Sequence, residues 1–551
     1  MSSGTPQHRL SIVIIVLLSM MSGIVGGLIV SRNSSQRHIV ELLRSSAASS
    51  SLSGPANKLD AMIELIEGYY VDSIQVDTLI EAMMPRLIEQ LDPHSSYIPA
   101  KDLSKVNESL DGEFDGIGVV FNMATDTVIV LSVITAGPSA KAGLMARDRI
   151  ITINDSIVAG RKLSQDYVVS QLRGERGTKV RLGLERGGIE GLVDVEVTRD
   201  KIPINSISSA FMIKKSVGYI RLDQFARTTY REFLEAINRL GRQGMSSLIL
   251  DLRGNSGGFM DQAIHLANEF LPKNALIVYT EGRSGEQSKE YSSRDGQLQD
   301  LPLVVLVDEF SASSSEILAG ALQDNDKGTL IGRRSFGKGL VQQQIPFTDG
   351  SAVRLTVARY YTPTGRSIQK PYKMGDNESY ERELADRIAH EELFTADSIL
   401  FVDSLKRFTA KGKVVYGGGG IMPDIFVPLS KEELPKFFTE CVGRNILYRY
   451  TIEYSDRHRD DLAKVESFEQ LDELFNNDKS LVDDFVQYAI KEGIEEDKEQ
   501  IEASRRLFEH QLRAYIGRNT KLEDNGYYAN IYPLDDVLMR ALSEIESGNI
   551  E

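Results

Sequence analysis

The chain of 551 residues contains one cysteine, Cys441, and no tryptophan. A single cysteine excludes a disulfide framework, a cysteine-based metal cluster and Cys-x-x-Cys redox chemistry. The seven histidines are scattered without the spacing of metal ligands, so we expect neither a metal nor another cofactor. Positive charge is also scarce, because 63 Lys and Arg stand against 79 Asp and Glu, a formal charge of −16. A nucleic-acid-binding face needs clustered cations, so that class of function is not expected.

Charge is absent from one long apolar stretch near the N-terminus. Residues 10–30 form 21 positions without a charged side chain, which is enough to span a bilayer. The stretch is longer than the apolar part of most cleaved signal peptides and ends without a clear Ala-x-Ala site. We therefore predict an uncleaved signal anchor over 1–31 and a Ser-rich linker over 32–56. Such an anchor would hold the protein at the inner membrane of a bacterial envelope, with its bulk in the periplasm.

A serine-rich turn and a glycine-flanked lysine carry the most chemical information. The turn reads Ser-Ala-Ser-Ser-Ser-Glu over 311–316, and Lys338 lies between two glycines. A serine hydroxyl attacks an acyl carbon poorly unless a base removes its proton. A lysine amine can be that base when burial lowers its pKa. Taken alone, the same residues could form a solvated turn and a surface lysine.

More than one serine has a spacing that would suit a nucleophile. Ser311 and Ser315 each lie two residues from Ser313, and Ser335 precedes Lys338 by three in a Ser-x-x-Lys arrangement. That arrangement needs a helix to bring the two side chains together, and Phe-Gly-Lys-Gly is a poor helix former. We therefore interpret Ser335 as structural.

Six segments in a fixed order resemble the carboxy-terminal processing proteases, also called tail-specific proteases. In chain order they are Leu-Asp-Pro-His-Ser-Ser-Tyr (91–97), Asp-Leu-Arg-Gly-Asn-Ser-Gly-Gly (251–258), the serine turn (311–316), Gly-Lys-Gly-Leu-Val-Gln (337–342), Tyr-Thr-Pro-Thr-Gly-Arg-Ser-Ile (361–368) and Gly-Gly-Gly-Gly-Ile-Met-Pro-Asp (417–424). The resemblance extends from about residue 57 to residue 428. Each motif alone is weak evidence, but their common order is strong evidence.

The resemblance implies a role for each matching residue. Ser313 matches the nucleophile, Lys338 the base and Gln342 the residue that orients the amine. The main-chain amides of Gly257 and Ser314 match the two donors of an oxyanion hole. Further acidic residues match supporting positions, although a helix start and a helix end would explain them equally well. These are Glu316 and Asp324.

A strand-rich region from 105 to 199 resembles a PDZ domain. The sequence Asp-Gly-Ile-Gly-Val-Val-Phe over 115–121 looks like its carboxylate-binding loop and first peptide-binding strand. Backbone amides of such a loop hold a peptide's terminal carboxylate while the peptide adds as a strand. The predicted binding residues are Gly116, Ile117, Gly118 and Val119.

The fold class predicted is α/β and multidomain, and the resemblance supplies a crotonase-like or Clp-like protease core. The pattern places a helical region at 57–104, the PDZ domain at 105–199, the core at 200–430 and a helical extension at 431–551. Within the core we expect buried strands at 217–222, 248–252, 276–279 and 303–307, and helices at 230–240 and 261–270. A polar segment over 371–413 departs from the compact family pattern and is expected to be an exposed helical insertion. The C-terminal apolar stripes favour packing within the chain.

The function predicted is an envelope serine endopeptidase that recognises the C-terminal tails of exported proteins. One alternative is a PDZ scaffold that binds C-termini without catalysis or under the control of a partner. Another is a Ser-His-Asp hydrolase, for which His265 would be the histidine, although its apolar surroundings suggest a helix interior. The resemblance also implies unfolded or tail-exposed protein substrates, and a homodimer or a regulatory adaptor as a further partner.

Overall fold

The computed structural model describes residues 55–123, 126–134 and 137–550. Its α-helices are Pro55–Tyr69, Val76–Ile88, Ala100–Asp111, Pro138–Lys141, Gln165–Leu172, Thr229–Arg242, Met260–Phe270, Ser314–Asp324, Asn377–Ala389, Lys436–Gly443, Ile446–Arg457, Arg459–Leu462, Phe468–Asn477, Leu481–Lys491, Lys498–Arg518, Asp524–Ile531 and Asp536–Glu546. Short 3-10 turns occur at Ala396–Ser398, Asp403–Leu405 and Tyr532–Leu534. The predicted membrane span at 10–30 lies outside the described residues.

Among the described residues the strands form three sheets of five or six strands, one of them of PDZ type, and two short two-stranded ribbons. They are Ser96–Ile98, Glu113–Gly116, Val119–Asn122, Val128–Val133, Arg149–Ile153, Ser156–Ile157, Lys179–Glu185, Leu192–Thr198, Asp200–Pro203, Ile207–Lys214, Val217–Leu222, Ser247–Asp251, Leu276–Gly282, Gln287–Tyr291, Leu303–Val307, Thr329–Gly332, Leu340–Pro346, Ala352–Tyr361, Lys406–Phe408, Val414–Tyr416 and Ile425–Phe426. All four strands and both helices predicted within the core are present.

The core sheet has six strands, and all but one neighbouring pair run parallel. In spatial order they are Ile207–Lys214, Val217–Leu222, Ser247–Asp251, Leu303–Val307, Thr329–Gly332 and Ile425–Phe426. Its central strands are uniformly buried, as expected for a parallel sheet covered on both faces. The carboxyl ends of parallel strands meet at one edge, which places the loops after residues 251 and 307 side by side.

A second, antiparallel sheet positions the lysine segment. Leu340–Pro346 pairs with the long strand Ala352–Tyr361, which also pairs with Leu276–Gly282 and Ser96–Ile98. The pairing brings the Leu-Asp-Pro-His segment beside the residues that follow Lys338. This contact between positions about 250 apart in the chain was not predicted from the sequence.

The PDZ region contains its own sheet and core. Val119–Asn122 is an edge strand, and the helix Gln165–Leu172 packs its buried Val168 and Leu172 into the same apolar cluster as the sheet. A ribbon of Glu113–Gly116 and Asp200–Pro203 joins this region to the protease core. The predicted boundary at 104/105 needs correction, because the helix Ala100–Asp111 crosses it and ends at Gly112, whose φ of +75° suits glycine.

The insertion at 371–413 is neither fully helical nor fully exposed. Only Asn377–Ala389 is α-helical, and Tyr380 and Arg387 on that helix are buried. The remainder contains 3-10 turns and the strand Lys406–Phe408, which pairs with the valine-containing strand Val414–Tyr416 in a hairpin. The expectation of an exposed helical insertion is therefore met only in part: most of the segment is exposed, but it is helical only over Asn377–Ala389 and that helix packs beside the lysine loop.

The C-terminal extension is helical, as predicted, and most of its apolar stripes pack against one another. Phe437, Phe485 and Phe508 lie in one buried cluster formed by the helices from 436 to 518. The last helices instead cover the core sheet: Leu538 and Leu542 pack with Tyr219 and other buried residues of its strands. The helix Pro55–Tyr69 and all but the last residue of the helix Val76–Ile88 lie before the second compact unit, which begins at Ile88.

Candidate active site

Ser313 occupies a strained turn between a core strand and a helix. Its φ of +55° and ψ of −114° are unusual for a residue with a side chain, and conformations of this kind cost about 1–3 kcal/mol. The next residue begins the helix Ser314–Asp324. The N-terminus of a helix favours negative charge, so an oxyanion formed beside Ser313 would be stabilised there.

Lys338 and Gln342 are joined by a direct hydrogen bond. The Lys338 Nζ donates to Gln342 Oε1 at 3.0 Å, and Gln342 Nε2 donates to the main-chain oxygen of His94. Burial lowers the pKa of Lys338, and the positive charge of Arg354 adds to the effect, while Glu316 and Asp92 oppose it. The amine is therefore held in one direction and is easier to deprotonate than an ordinary lysine.

Glu316 binds the backbone around both Ser313 and Lys338. One carboxylate oxygen accepts from the main-chain amides of Ser313 at 2.9 Å and of Lys338 at 2.8 Å. The other accepts from the Gly337 amide at 2.7 Å and from the Ser335 hydroxyl at 2.5 Å. Burial raises the pKa of Glu316, while these four hydrogen bonds lower it. This fully buried carboxyl group fixes the serine turn against the lysine loop.

Tyr360 forms a second link between the same two segments. Its buried hydroxyl lies within hydrogen-bonding distance of the main-chain oxygens of Ser313 and Lys338. The sequence alone gave no functional role to Tyr360 or to His94. Tyr360 immediately precedes the Tyr-Thr-Pro motif and His94 lies within the Leu-Asp-Pro-His motif, so both could have been found beside the motifs that were recognised.

The hydroxyl groups of the neighbouring serines all form hydrogen bonds within the protein. Ser311 Oγ donates to the Leu252 carbonyl at 2.9 Å, and Ser315 Oγ donates to the Asn255 carbonyl at 2.9 Å. Ser335 Oγ donates to Glu316 and accepts from the Ile421 amide at 2.6 Å. These contacts support structural roles for the three competitors of Ser313.

The two amides predicted to form an oxyanion hole differ in their hydrogen bonds. Ser314 occupies the first helical position, where an amide has no acceptor within the helix. The Gly257 amide, however, donates to Asn255 Oδ1 at 2.8 Å and is therefore not free for an oxyanion. Gly257 does lie against the serine turn, since a Cβ built on it would meet Ser313 Cβ at 2.7 Å. The turn needs glycine here, and the oxyanion role of the Gly257 amide stays a prediction.

Asp324 is the last residue of the helix Ser314–Asp324, at the end away from Ser313. Its carboxylate binds the Arg366 guanidinium at 2.6 Å and accepts from the Thr364 amide at 3.0 Å and the Thr364 hydroxyl at 2.7 Å. The ion pair is fully buried. Asp324 therefore fixes the helix to the Tyr-Thr-Pro-Thr-Gly-Arg motif and does not reach the serine.

A cavity of about 1200 Å³ contains Ser313, Lys338 and Gln342 together. Its apolar wall includes Leu110, Ile317 and Leu340. The helix Ala100–Asp111 forms part of the rim, held by an Arg227–Asp111 ion pair at 2.9 Å. An extended polypeptide would fit a cavity of this size and lining.

The predicted carboxylate loop lies at the edge of the PDZ sheet. Gly116 ends one strand, Gly118 has a φ of +75°, and Val119 begins the edge strand. The carbonyls of Ile117 and Gly118 accept from the amides of Ser139 and Ile134, each at 3.0 Å. In the part of the chain that the structure describes, Val119–Asn122 pairs with a strand on one side only. That arrangement suits the addition of a peptide strand.

Comparison with known proteins supplies the family. The model of peptidase family S41 matches residues 216–376, a PDZ domain model matches 116–197, and a family of unknown function matches 437–520. A carboxy-terminal-processing protease of Bartonella bacilliformis is 38% identical over 313 residues, covering 56% of this chain and 71% of that protein. The chain belongs to the carboxy-terminal processing proteases of peptidase family S41.

Two further matches are a sequence relative and a solved structure. The carboxy-terminal processing protease CtpA of Bacillus subtilis is 36% identical over 57% of this chain and 66% of its own length. A solved photosystem II D1 C-terminal processing protease is 24% identical, covers 71% of this chain and 86% of that chain, and gives a TM-score of 0.34. The sequence relatives identify the chain as a serine peptidase with a PDZ domain, so its substrates are polypeptides.

The family and the structure bear on the two alternative functions, a non-catalytic PDZ scaffold and a Ser-His-Asp hydrolase. The enzyme assignment excludes a purely non-catalytic scaffold. His265 is exposed on the helix Met260–Phe270, and its ring packs against Tyr230 at 5.3 Å rather than lining the cavity. The alternative of a Ser-His-Asp arrangement thus receives no support from the position of His265. Among the described residues, no helix is both long enough and apolar enough to cross a membrane.

Proposed function

We propose that this protease works through an acyl-enzyme on Ser313, with Lys338 as the base. The neutral Lys338 amine removes the proton from Ser313 Oγ as that oxygen bonds to the scissile carbonyl carbon. The resulting ammonium gives the proton to the leaving amine as the C–N bond breaks. A water molecule then loses a proton to Lys338 and attacks the ester, and Ser313 regains its proton on release.

The observation that carries this proposal is the shared setting of the two residues. Lys338 has a lowered pKa, lies in one cavity with Ser313, and is joined to it through Glu316. An ammonium cannot accept the serine proton, so a base needs this buried environment. Gln342 Oε1 accepts one amine hydrogen and thereby directs the nitrogen lone pair elsewhere. These contacts support Gln342 as the orienting residue.

For the oxyanion, the Ser314 amide is the donor that the structure leaves in place. In this proposal the Gly257 amide becomes the second donor when its hydrogen bond to Asn255 Oδ1 is exchanged for one to the oxyanion. Two donors in a water-excluded site stabilise a tetrahedral intermediate strongly. Glu316 supports both catalytic residues from behind, and Asp324 supports the helix from its other end.

The experiment compares single substitutions in the full chain on an unfolded substrate with an apolar C-terminus. Ser313→Ala and Lys338→Arg should each lower kcat/KM by at least about 10³, because either loss disables the pair. Ser311→Ala and Ser315→Ala should retain much of the activity per folded molecule. Substantial turnover by Lys338→Arg would refute the lysine base. A loss in Ser335→Ala without one in Ser313→Ala would show that Ser335 is the nucleophile.

We further propose that the loop of Gly116, Ile117, Gly118 and Val119 binds the C-terminal carboxylate of the substrate. Matched peptides ending in a free acid or an amide test this, because the amide lacks the charge that the loop amides would hold. Below saturation, cleavage of the amide should be slower. Equal rates would mean that this loop does not select tails.

We place the enzyme in a bacterial envelope, anchored in the inner membrane by residues 10–30 with its catalytic part in the periplasm. The 21 uncharged residues of that stretch and the absence of a clear cleavage site support this location. Fractionation of cells should find the intact chain in the membrane, and a chain without residues 1–31 should not be retained there. Recovery of a shortened natural chain in the soluble fraction would contradict an uncleaved anchor. A homodimer or a regulatory adaptor is the further partner we propose, testable by mass measurement in detergent.

A further inference from the structure

His94 connects the catalytic lysine pair to the insertion at 371–413. The His94 carbonyl accepts from Gln342 Nε2, and Gln342 Oε1 accepts from Lys338 Nζ. The imidazole on the same residue points the other way, with Nε2 at 2.7 Å from the hydroxyl of Tyr380. A continuous chain of contacts therefore extends from the insertion helix to the lysine amine.

The position of His94 is fixed from several sides. Its amide donates to Asp92 Oδ1 at 2.9 Å, and its ring meets the Tyr380 ring edge-on at 5.1 Å. Burial and the positive charges of Lys338 and Lys370 lower the pKa of His94 to about 4, against the opposing charge of Asp92. A neutral imidazole has one nitrogen that can accept, and the Tyr380 hydroxyl can supply that hydrogen bond.

The helix that carries Tyr380 also packs against the loop before Lys338. Lys370 Nζ lies 4.1 Å from the ring centroids of Phe336 and Tyr380 and 3.1 Å from Glu383. Arg387 donates to the main-chain oxygen of Arg334 at 2.8 Å. Tyr380 itself is only 5% exposed. The insertion therefore supports the lysine loop at one side and the Gln342 partner at the other.

We propose that Tyr380 and His94 are positioning residues for the Lys338 base, and that the insertion helix Asn377–Ala389 serves in part to hold Tyr380 against His94. The Tyr380 hydroxyl holds the His94 ring, the ring fixes the His94 carbonyl, and the carbonyl sets the Gln342 amide that directs the lysine. This proposal rests on the proposed function of Lys338. It gives a role to the insertion at 371–413, which the family motifs do not cover, and to His94 within the Leu-Asp-Pro-His motif.

The test is Tyr380→Phe in the full chain, which removes the hydroxyl but keeps the ring over Lys370. We expect kcat to fall about tenfold with KM changed less than about twofold, because a misplaced catalytic group slows the chemical step. The acid limb of the kcat/KM profile should move to higher pH, since a looser site admits water to Lys338 and raises its pKa. Tyr372→Phe is the matched control: its ring packs on Tyr380 at 6.5 Å, and it should leave all three quantities unchanged.

A double-mutant cycle with His94→Ala separates positioning from simple stability. If the hydroxyl acts through His94, the double variant should be no slower than His94→Ala alone. Additive losses in kcat, or a lower melting temperature without a change in kcat or in the pH profile, would overturn the proposal. Lys338→Arg is measured beside them. If it is inactive while Tyr380→Phe is normal, only this inference fails, whereas an active Lys338→Arg would refute the proposed base itself.

Discussion

The two faces of the core sheet are covered by different parts of the chain. On one face lie the helices Thr229–Arg242, Met260–Phe270 and Ser314–Asp324, which alternate with the strands along the sequence. On the other lie the helices Asp524–Ile531 and Asp536–Glu546, far beyond the last strand of the sheet. The helix Ser314–Asp324 on the first face begins beside Ser313, whereas the helices of the second face bury Leu538 and Leu542 against the sheet.

The two faces therefore differ in how their residues relate to catalytic activity and to the free energy of unfolding. On the first face, strain at Ser313 and the buried charges of Glu316 and Lys338 oppose folding and serve the site. Both faces bury aliphatic and aromatic side chains, which stabilise through apolar burial. None of the described residues that line the cavity belongs to the helices of the second face. Substitutions beside Ser313 and Lys338 should therefore change activity most, whereas substitutions on the second face should change the free energy of unfolding with little change in activity.

The largest expected effect is that of Lys338→Met. We expect kcat/KM to fall by at least about 10³ because the base is lost, while the free energy of unfolding rises because a buried amine is replaced by an apolar group. The folded pKa of Lys338 lies below its ordinary value of 10.5. Between those two values the unfolded chain binds the extra proton, so wild-type stability rises with pH there and the advantage of Met shrinks.

Thermal unfolding of Lys338→Met and wild type across this pH range checks the prediction. Lys327→Met is the control, because Lys327 is also partly buried and donates to the carbonyls of Gln299 at 2.8 Å and Leu301 at 2.6 Å. It should lose stability and keep its activity per folded molecule. A Lys338→Met protein less stable than wild type at neutral pH would show that the lysine is stabilising.

Next in size is Leu538→Ala on the second face. Leu538 is 2% exposed, and removing a buried leucine typically costs about 2–4 kcal/mol. The neighbouring Met539 is 43% exposed, so Met539→Ala should change stability by less than about 0.5 kcal/mol. Denaturant unfolding measures both, and kcat per folded molecule should match wild type. A lower kcat at unchanged stability would mean that the second face also shapes the active site.

The first face could be predicted from the sequence because its signals are local. Val217–Leu222 and Leu303–Val307 were predicted with the bounds that the structure has, since short β-branched runs between helical patterns mark a buried parallel strand. The family motifs likewise placed Ser313, Lys338 and Gln342 around a common cavity.

The second face could not be predicted, because an apolar helical stripe does not say what it covers. Leu471 and Leu538 occupy similar helical patterns, yet one packs within the extension and the other on the core sheet. The same limit applies to Tyr380 and His94, whose contact joins positions 286 apart. The Gly257 amide shows a different limit: the motif marks the residue, but a side-chain acceptor two residues away decides where its N–H points.

A smaller effect is expected where the two faces are joined by charge. Arg253, in the loop that leads to Gly257, binds Asp535 through two hydrogen bonds of 2.9 and 2.7 Å. Asp535 also caps the last helix by accepting from the Leu538 amide at 3.0 Å. Asp535→Asn keeps a good cap and removes the charge, so its cost reports the ion pair. For a pair that is partly buried, we expect about 1–3 kcal/mol.

Asp535→Ala should cost about 1 kcal/mol more than Asp535→Asn, because it also removes the cap. Denaturant unfolding at low and high salt checks both values, and the Asn variant should lose less at high salt. Equal stability of wild type and Asp535→Asn would mean that Asp251, which also binds Arg253, makes the second carboxylate redundant.

The smallest effect concerns the edge of the sheet. Asn525 Oδ1 accepts from the Ala210 amide at 2.8 Å and from the Ser209 hydroxyl at 3.0 Å, which joins a second-face helix to the edge strand Ile207–Lys214. Asn525→Ala leaves the buried Ala210 amide without its acceptor and should cost about 1–2 kcal/mol. Asn525→Asp keeps the accepting oxygen and should cost less. Amide hydrogen exchange at Ala210 provides the local readout, since only the Ala variant should expose it faster than global unfolding does. Equal protection in both variants would show that the edge strand is held by its pairing with Val217–Leu222 alone.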